Sequence, residues 1–207
     1  MAEQSLWRDE VDAIRFSSWK IYDLLAGLAQ PGHNGPLYFL LLRPWRIIAG
    51  SSEFALRYPS AVMGTVMIPL GFILARRLGF SRRVGLLLSL LLATSPYLVW
   101  YGQEAKMYTL LMASVTLAFL AYLKALSGGG SRWWVIFVLT TSFSFYIHIL
   151  SPLMLLVYGT VALLYPAKLS RHWRAWLISM VCLTLPYLPL VLWQAGFLWD
   201  GSGRGHP

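Results

Sequence analysis

An all-α, polytopic transmembrane protein is predicted by three features of the sequence. Hydrophobic residues fill 57% of the 207 positions and charged residues only 12%, against roughly 25% charged residues in soluble domains. Mean hydropathy is +0.60. The apolar residues also gather into runs, at 60–75, 84–101, 107–123, 133–150, 152–167 and 175–195. Each is close to the roughly 17–25 residues that carry a helix across about 30 Å of hydrocarbon. About six spans are therefore expected between residues 60 and 195.

The first segment, 1–59, is more polar and reads as short helices lying on the membrane surface. Ile21, Leu24, Leu25 and Leu28 recur at helical spacing, and Pro36–Gly50 is apolar but brief and carries two arginines, Arg43 and Arg46. Gln30-Pro31-Gly32-His33-Asn34-Gly35 separates these two helices. Glu53 and Arg57 form an i, i+4 pair just before the first span, with the acid on the N-terminal side that helix pairing favours. Among the spans, 152–167 is short and follows Ser151-Pro152, which suits a tilted or partly re-entrant piece. Ser127–Ser131 reads as a flexible inner linker. Residues 196–207 form a polar tail, and no internal repeat or soluble domain is visible.

The net charge of +9 does not point to nucleic acid, because the cations sit in small clusters between apolar spans rather than along one polar face. Lys and Arg in short loops prefer the cytoplasm. Arg76, Arg77, Arg82 and Arg83 flank one connection, Lys124 and Arg132 a second, and Lys168, Arg171 and Arg174 a third. Placing these inside leaves 1–59, 102–106, the turn near 150 and the tail after 195 outside. All eight acidic residues then fall outside as well. Against this stand Arg8, Arg15, Lys20, Arg43, Arg46 and Arg57 in the first outer segment, although long loops obey the rule poorly. The single cysteine, Cys182, excludes a disulfide framework and a CxxC metal site.

The polar outer segments hold the candidate chemistry. Trp7-Arg8-Asp9-Glu10, with Asp12 close by, places adjacent carboxylates at the membrane surface, where one can act as a base and its neighbour or an arginine can set its pKa. The plainer reading is a solvated helix start. Gln103-Glu104-Ala105-Lys106-Met107-Tyr108 is a polar knot between two apolar spans. Lys106 can hold a phosphate, and Glu104 can position it, bind a divalent cation or simply neutralise the lysine. A short turn with snorkelling side chains explains the same pattern. His33 stands in a Gly/Pro turn that leads to Tyr38, and His148 follows an apolar stretch on the same outer side. Each is explained as well by a structural histidine, and no metal ligand set is assigned. Arg57 lies near the outer headgroup level, where a guanidinium can hold a lipid phosphate. Trp7, Trp19, Trp45, Trp100, Trp193 and Trp199 suit interface anchors.

Taken in order, SLWRDEVDAIRFS, HNGPLYFLLL, SSEFALRYPSAVMGTVMIPLGFILARRLGFSRR, SPYLVWYGQEAKMYTLL and YIHILSP resemble the N-terminal part of bacterial glycosyltransferase family 39. This family includes the dolichyl-phosphate-mannose protein mannosyltransferases and the lipid A aminoarabinose transferases, and has the C-type membrane glycosyltransferase fold. The resemblance implies a multi-pass protein of the bacterial cytoplasmic membrane whose active site faces outward. It also implies a polyprenyl-phosphate-linked sugar donor and a glycan, lipid or protein acceptor. It places the catalytic acid at Asp9 with Glu10 beside it, and the second-loop motif at Gln103, Glu104, Lys106 and Tyr108. Lys106, Arg57 and Tyr108 become the donor-phosphate contacts; His33, Tyr38 and His148 become substrate or structural residues. The chain departs from the His-Pro-Pro-Leu-Tyr pattern of relatives at His33-Asn34-Gly35-Pro36-Leu37-Tyr38. It also lacks the family's first span and later spans, so an N-terminal fragment is expected. Two other classes stay open: a transporter or polyprenyl-sugar flippase, which would put polar residues at mid-membrane depth, and a noncatalytic assembly subunit, in which Asp9 and Glu104 would both be dispensable.

Overall fold

The structure is a computed structural model and describes residues 8–28 and 34–200. Every regular element among them is helical. Three short helices come first: α1 (Arg8–Ser18), α2 (Ile21–Leu28) and α3 (Leu37–Ala49). The bundle follows as α4 (Glu53–Arg77), α5 (Arg82–Ala93), α6 (Pro96–Gly102), α7 (Tyr108–Leu126) and α8 (Ser131–Phe145). A 3₁₀ turn (Ser151–Leu153) then leads into α9 (Met154–Leu164) and α10 (Pro166–Asp200).

Two of these helices, α4 and α7, are long and apolar enough to cross a membrane, and α5 with α6 makes a third such segment bent by 53°. The apolar run 84–101 is thus not one straight helix. The Ser95 side chain accepts from the Leu98 N–H, and Pro96 opens the next helix. Proline lacks the N–H that would continue α5, so the chain turns there. The run 133–150 likewise stops being α-helical at Phe145, and the 152–167 run yields only the short apolar piece Ser151–Leu164. Large aliphatic side chains on α5, α8, α9 and α10 point outward, among them Leu87, Leu91, Leu139, Leu156, Leu163 and Ile178. Outward-facing large aliphatics on bundle helices fit a lipid surround, since hydrocarbon imposes no cost on them.

α7 is the axis of the bundle. Its buried face carries Ala113, Ser114, Ala118, Ala121 and Ala125, whose small side chains let neighbouring backbones come close. Ser60 Oγ donates to the Lys106 carbonyl (3.0 Å), and Thr116 Oγ1 meets Met67 Sδ (3.9 Å). α4 and α7 therefore run in the same direction, and their C-terminal ends, with Arg76, Arg77 and Lys124, lie at one end of the bundle. The start of α10 joins them, because a side chain added at Gly128 would come within 3.8 Å of His172 Nε2.

The Ser127–Ser131 linker is a tight turn rather than a flexible tether. The N–H groups of Gly128 and Gly129 donate to the Ala125 and Lys124 carbonyls at 3.1 and 3.0 Å. Gly128 and Gly130 hold φ of +83° and +88°, a region that favours glycine.

The three basic connections thus gather at one end of the bundle, and Gln103 and the polar knot lie at the other. With Cys182 replaced by serine, a cysteine at exposed Gln103 should react with an impermeant thiol reagent on intact cells. One at Ser127 should react only after permeabilisation. The reverse pattern would invert the orientation.

Candidate active site

The separated polar motifs converge on one apolar cluster. It joins Ala13, Phe16, Leu24, Tyr38, Phe39, Leu42, Leu56, Ala105, Met107 and Ile147, which come from α1, α2, α3, α4, the 103–107 loop and the turn after α8. Each segment alone exposes too little apolar surface to fold, and burial against the others supplies the driving force.

A charged lock is embedded at this cluster. The Glu10 side chain is buried, as is Arg57. Arg57 Nε and Nη2 donate to Glu10 Oε1 and Oε2 at 2.9 and 2.8 Å, a fork-on-fork pair. Glu10 Oε1 also accepts the Ala105 N–H at 2.8 Å. Arg57 Nη1 lies 3.9 Å from Glu53, the expected i, i+4 partner. Arg57, read from sequence as a phosphate contact, thus gives two of its nitrogens to Glu10.

The same lock sets the 103–107 loop. The Ala105 N–H is held by α1 and the Lys106 carbonyl by Ser60 of α4. Ala105 and Met107 point inward, and Gln103 is left exposed, with Glu104 and Lys106 half-buried. Tyr108 opens α7 between Tyr101 (ring centroids 4.8 Å apart) and His148 (6.4 Å). The Leu150 N–H donates to His148 Nδ1 at 3.1 Å, which places the imidazole proton on Nε2. Burial holds the His148 pKa below its ordinary value, in keeping with a neutral ring.

Gly35 and Tyr38 complete the constellation. A Cβ at Gly35 would lie 2.0 Å from the Tyr146 carbonyl oxygen, so only glycine fits. The Leu37 N–H donates to that same carbonyl at 3.0 Å. Tyr38 is buried, its phenol pushed upward by desolvation, with Ser60 as the polar group beside it. A cavity of about 210 Å³ opens here, walled by Tyr38, Leu41, Leu42, Trp45, Pro59, Ser60, Met63 and Leu110.

His33 and the side chain of Asp9 lie outside the described residues, although Asp9 itself is in the first turn of α1. Among the described residues no group of three or more His, Cys, Asp or Glu converges where a metal would be held. Sequence reasoning missed Ser60 and the Ala105 N–H. A serine in an apolar helix and a backbone amide carry no pattern of their own. Gly35 was visible only as part of a turn.

The family description that matches residues 33–193 is dolichyl-phosphate-mannose-protein mannosyltransferase. The chain belongs to this mannosyltransferase family. It is accordingly a membrane glycosyltransferase in general class. The matched residues include Tyr38, Arg57, the 103–108 loop and His148, whereas α1 with Asp9 and Glu10 precedes them. No curated protein and no solved structure matches the chain.

Breaking a buried ion pair from one side leaves an uncompensated charge and costs about 3–5 kcal/mol. Arg57→Met should therefore strongly lower the melting temperature in detergent. Combining it with Glu10→Gln should cost clearly less than the two single losses added together. Strictly additive losses would show that the two side chains do not depend on each other.

Proposed function

We propose that this mannosyltransferase-family protein moves a sugar from a polyprenyl-phosphate donor to an acceptor on the outer face of the bacterial cytoplasmic membrane. The observation that carries the reading is the convergence of α1, α3, the start of α4, the 103–108 loop and the 146–148 turn on one end of the bundle, opposite the basic turns. A site at the end of the spans suits a donor whose phosphate stays at the interface while its tail enters the bilayer. A transporter would need its polar groups near the midplane.

In this reading the acceptor hydroxyl or amine attacks the anomeric carbon as its proton passes to the Asp9 carboxylate. The bond from that carbon to the phosphate oxygen breaks, polyprenyl phosphate leaves, and the configuration inverts. The base falls to Asp9 rather than Glu10 because Glu10 is already committed to Arg57 and the Ala105 N–H, and a carboxylate stabilised by three donors is a poor proton acceptor. Lys106 and Tyr108 meet the phosphate as charge collects on it, with Arg57 adding its field through the loop it anchors. Gln103 and Glu104 face the sugar or acceptor, with His148 beside them; His33, outside the described residues, keeps only the substrate or structural role that the family resemblance implies. The buried Tyr38 hydroxyl stands at an apolar cavity suited to the first part of the lipid tail.

Membranes carrying each variant, titrated with polyprenyl-phosphate mannose up to saturation, test this. Asp9→Asn should lower turnover on the order of 10²–10⁴-fold, the usual scale for losing a general base, without a shift in melting temperature. Glu10→Gln should lose activity only in proportion to folded protein lost. Lys106→Ala should raise the donor concentration needed far more than Arg83→Ala at the opposite end. Parental turnover in Asp9→Asn removes it as the base.

A further inference from the structure

A second site lies at the basic end of the bundle, away from the chemistry described above. α8 and α10 diverge there around a groove of about 500 Å³, within the roughly 300–1,000 Å³ range of small-molecule sites. Its wall on α8 is Ser131, Trp134, Val135, Val138 and Leu139, a stripe at helical spacing. Its wall on α10 begins at His172, where the backbone leaves helical geometry (φ −127°, ψ 16°), and continues along the helix through Ala175 and Ile178 to Cys182. The groove is therefore most polar at one end, where Gly128, Gly130, Ser131 and His172 meet, and apolar along the rest apart from Ser179 on the α10 wall.

The charge around the polar end is one-sided. Lys124, Arg132, Lys168, Arg171 and Arg174 lie on the segments that form it, and no Asp or Glu occurs between Glu104 and Asp200. Aromatic rings hold several of these cations at the surface: Lys124 lies over Trp133 at 4.3 Å, Arg132 over the same ring at 5.5 Å, and Arg174 over Trp173 at 5.5 Å. Among the described residues none of these cations pairs with a carboxylate. An elongated apolar slot closed by a cationic rim complements a molecule with an anionic head and a hydrocarbon tail.

We propose that this groove holds one acyl chain of an anionic glycerophospholipid of the adjoining leaflet, with its phosphate at Arg132, Arg171 and His172. Basic pockets between helices favour such headgroups, each cation near the surface contributing about 1 kcal/mol. The bent start of α10 is what opens the slot, and a bound lipid would set the spacing of α8 and α10.

The purified full chain in nanodiscs of equal phosphatidylcholine and phosphatidylglycerol, analysed by native mass spectrometry, gives a direct test. One phosphatidylglycerol should remain bound in preference to phosphatidylcholine, and Arg132→Gln with Arg171→Gln should reduce that preference at least about fivefold, the effect of roughly 1 kcal/mol. Val135→Trp, at an exposed position on the groove wall, should abolish retention with the cations intact. Retention that survives Val135→Trp would mean that surface charge alone attracts the lipid, and equal retention of both lipids would mean that charge is not read; either overturns the proposal. A second copy of the chain in place of lipid overturns it too. As an independent readout, Cys182 lies in the groove, so phosphatidylglycerol should slow its reaction with a membrane-permeant maleimide several-fold relative to phosphatidylcholine alone. An unchanged rate would exclude an occupant at that depth.

Discussion

The site end of this protein depends on one buried ion pair. Glu10 and Arg57 come from helices separated by α2 and α3, and their carboxylate–guanidinium fork is tied to a third segment through the Ala105 N–H. Taking two charges out of water costs several kcal/mol per ion, and that cost is offset only when geometry is good and remaining hydrogen-bonding capacity is used. Both conditions are met here. The pair, once formed, ties α1 to α4 in one arrangement. It fixes the register of α1 on α4, and that register decides how the 103–107 loop presents Glu104 and Lys106.

The arginines of the N-terminal segment belong to the same logic. Arg43 donates to the Trp19 carbonyl at 2.6 Å. Arg46 reaches the Ile14 carbonyl and the hydroxyls of Ser17, Ser18 and Ser51. With Arg57 on Glu10, three cations that run against a simple charge rule for topology are explained by folding contacts. They fasten α1 and the α1–α2 turn to α3 and α4. A guanidinium suits this work because its donors are planar and fixed in direction.

The helical, membrane-embedded character of the chain was legible from composition and run length, and so were most helix positions. Helix breaks were less legible. The run 84–101 is uniformly apolar in a hydropathy window, yet Ser95 and Pro96 end one helix and start another, because capping and a missing N–H act at single residues. Ser127–Ser131 was misread for a related reason: three glycines suggest freedom, but here two of them, Gly128 and Gly130, supply positive φ inside a hydrogen-bonded turn. The candidate site was legible as a set of polar motifs on one side. Its internal wiring was not. Glu10 and Asp9 are neighbours with the same side-chain chemistry, and nothing local to the motif announces that Glu10 meets an arginine 47 residues away.

That wiring has a consequence for how the protein is made. Glu10 finds its backbone partner at Ala105, 95 residues later in the chain. At the roughly 5–20 residues per second of synthesis, the amide is made on the order of 5–20 s after the carboxylate. Within that interval Arg57, 47 residues on, becomes available to Glu10 before the Ala105 N–H does. Closure of this end of the bundle therefore waits on synthesis of the loop that precedes α7.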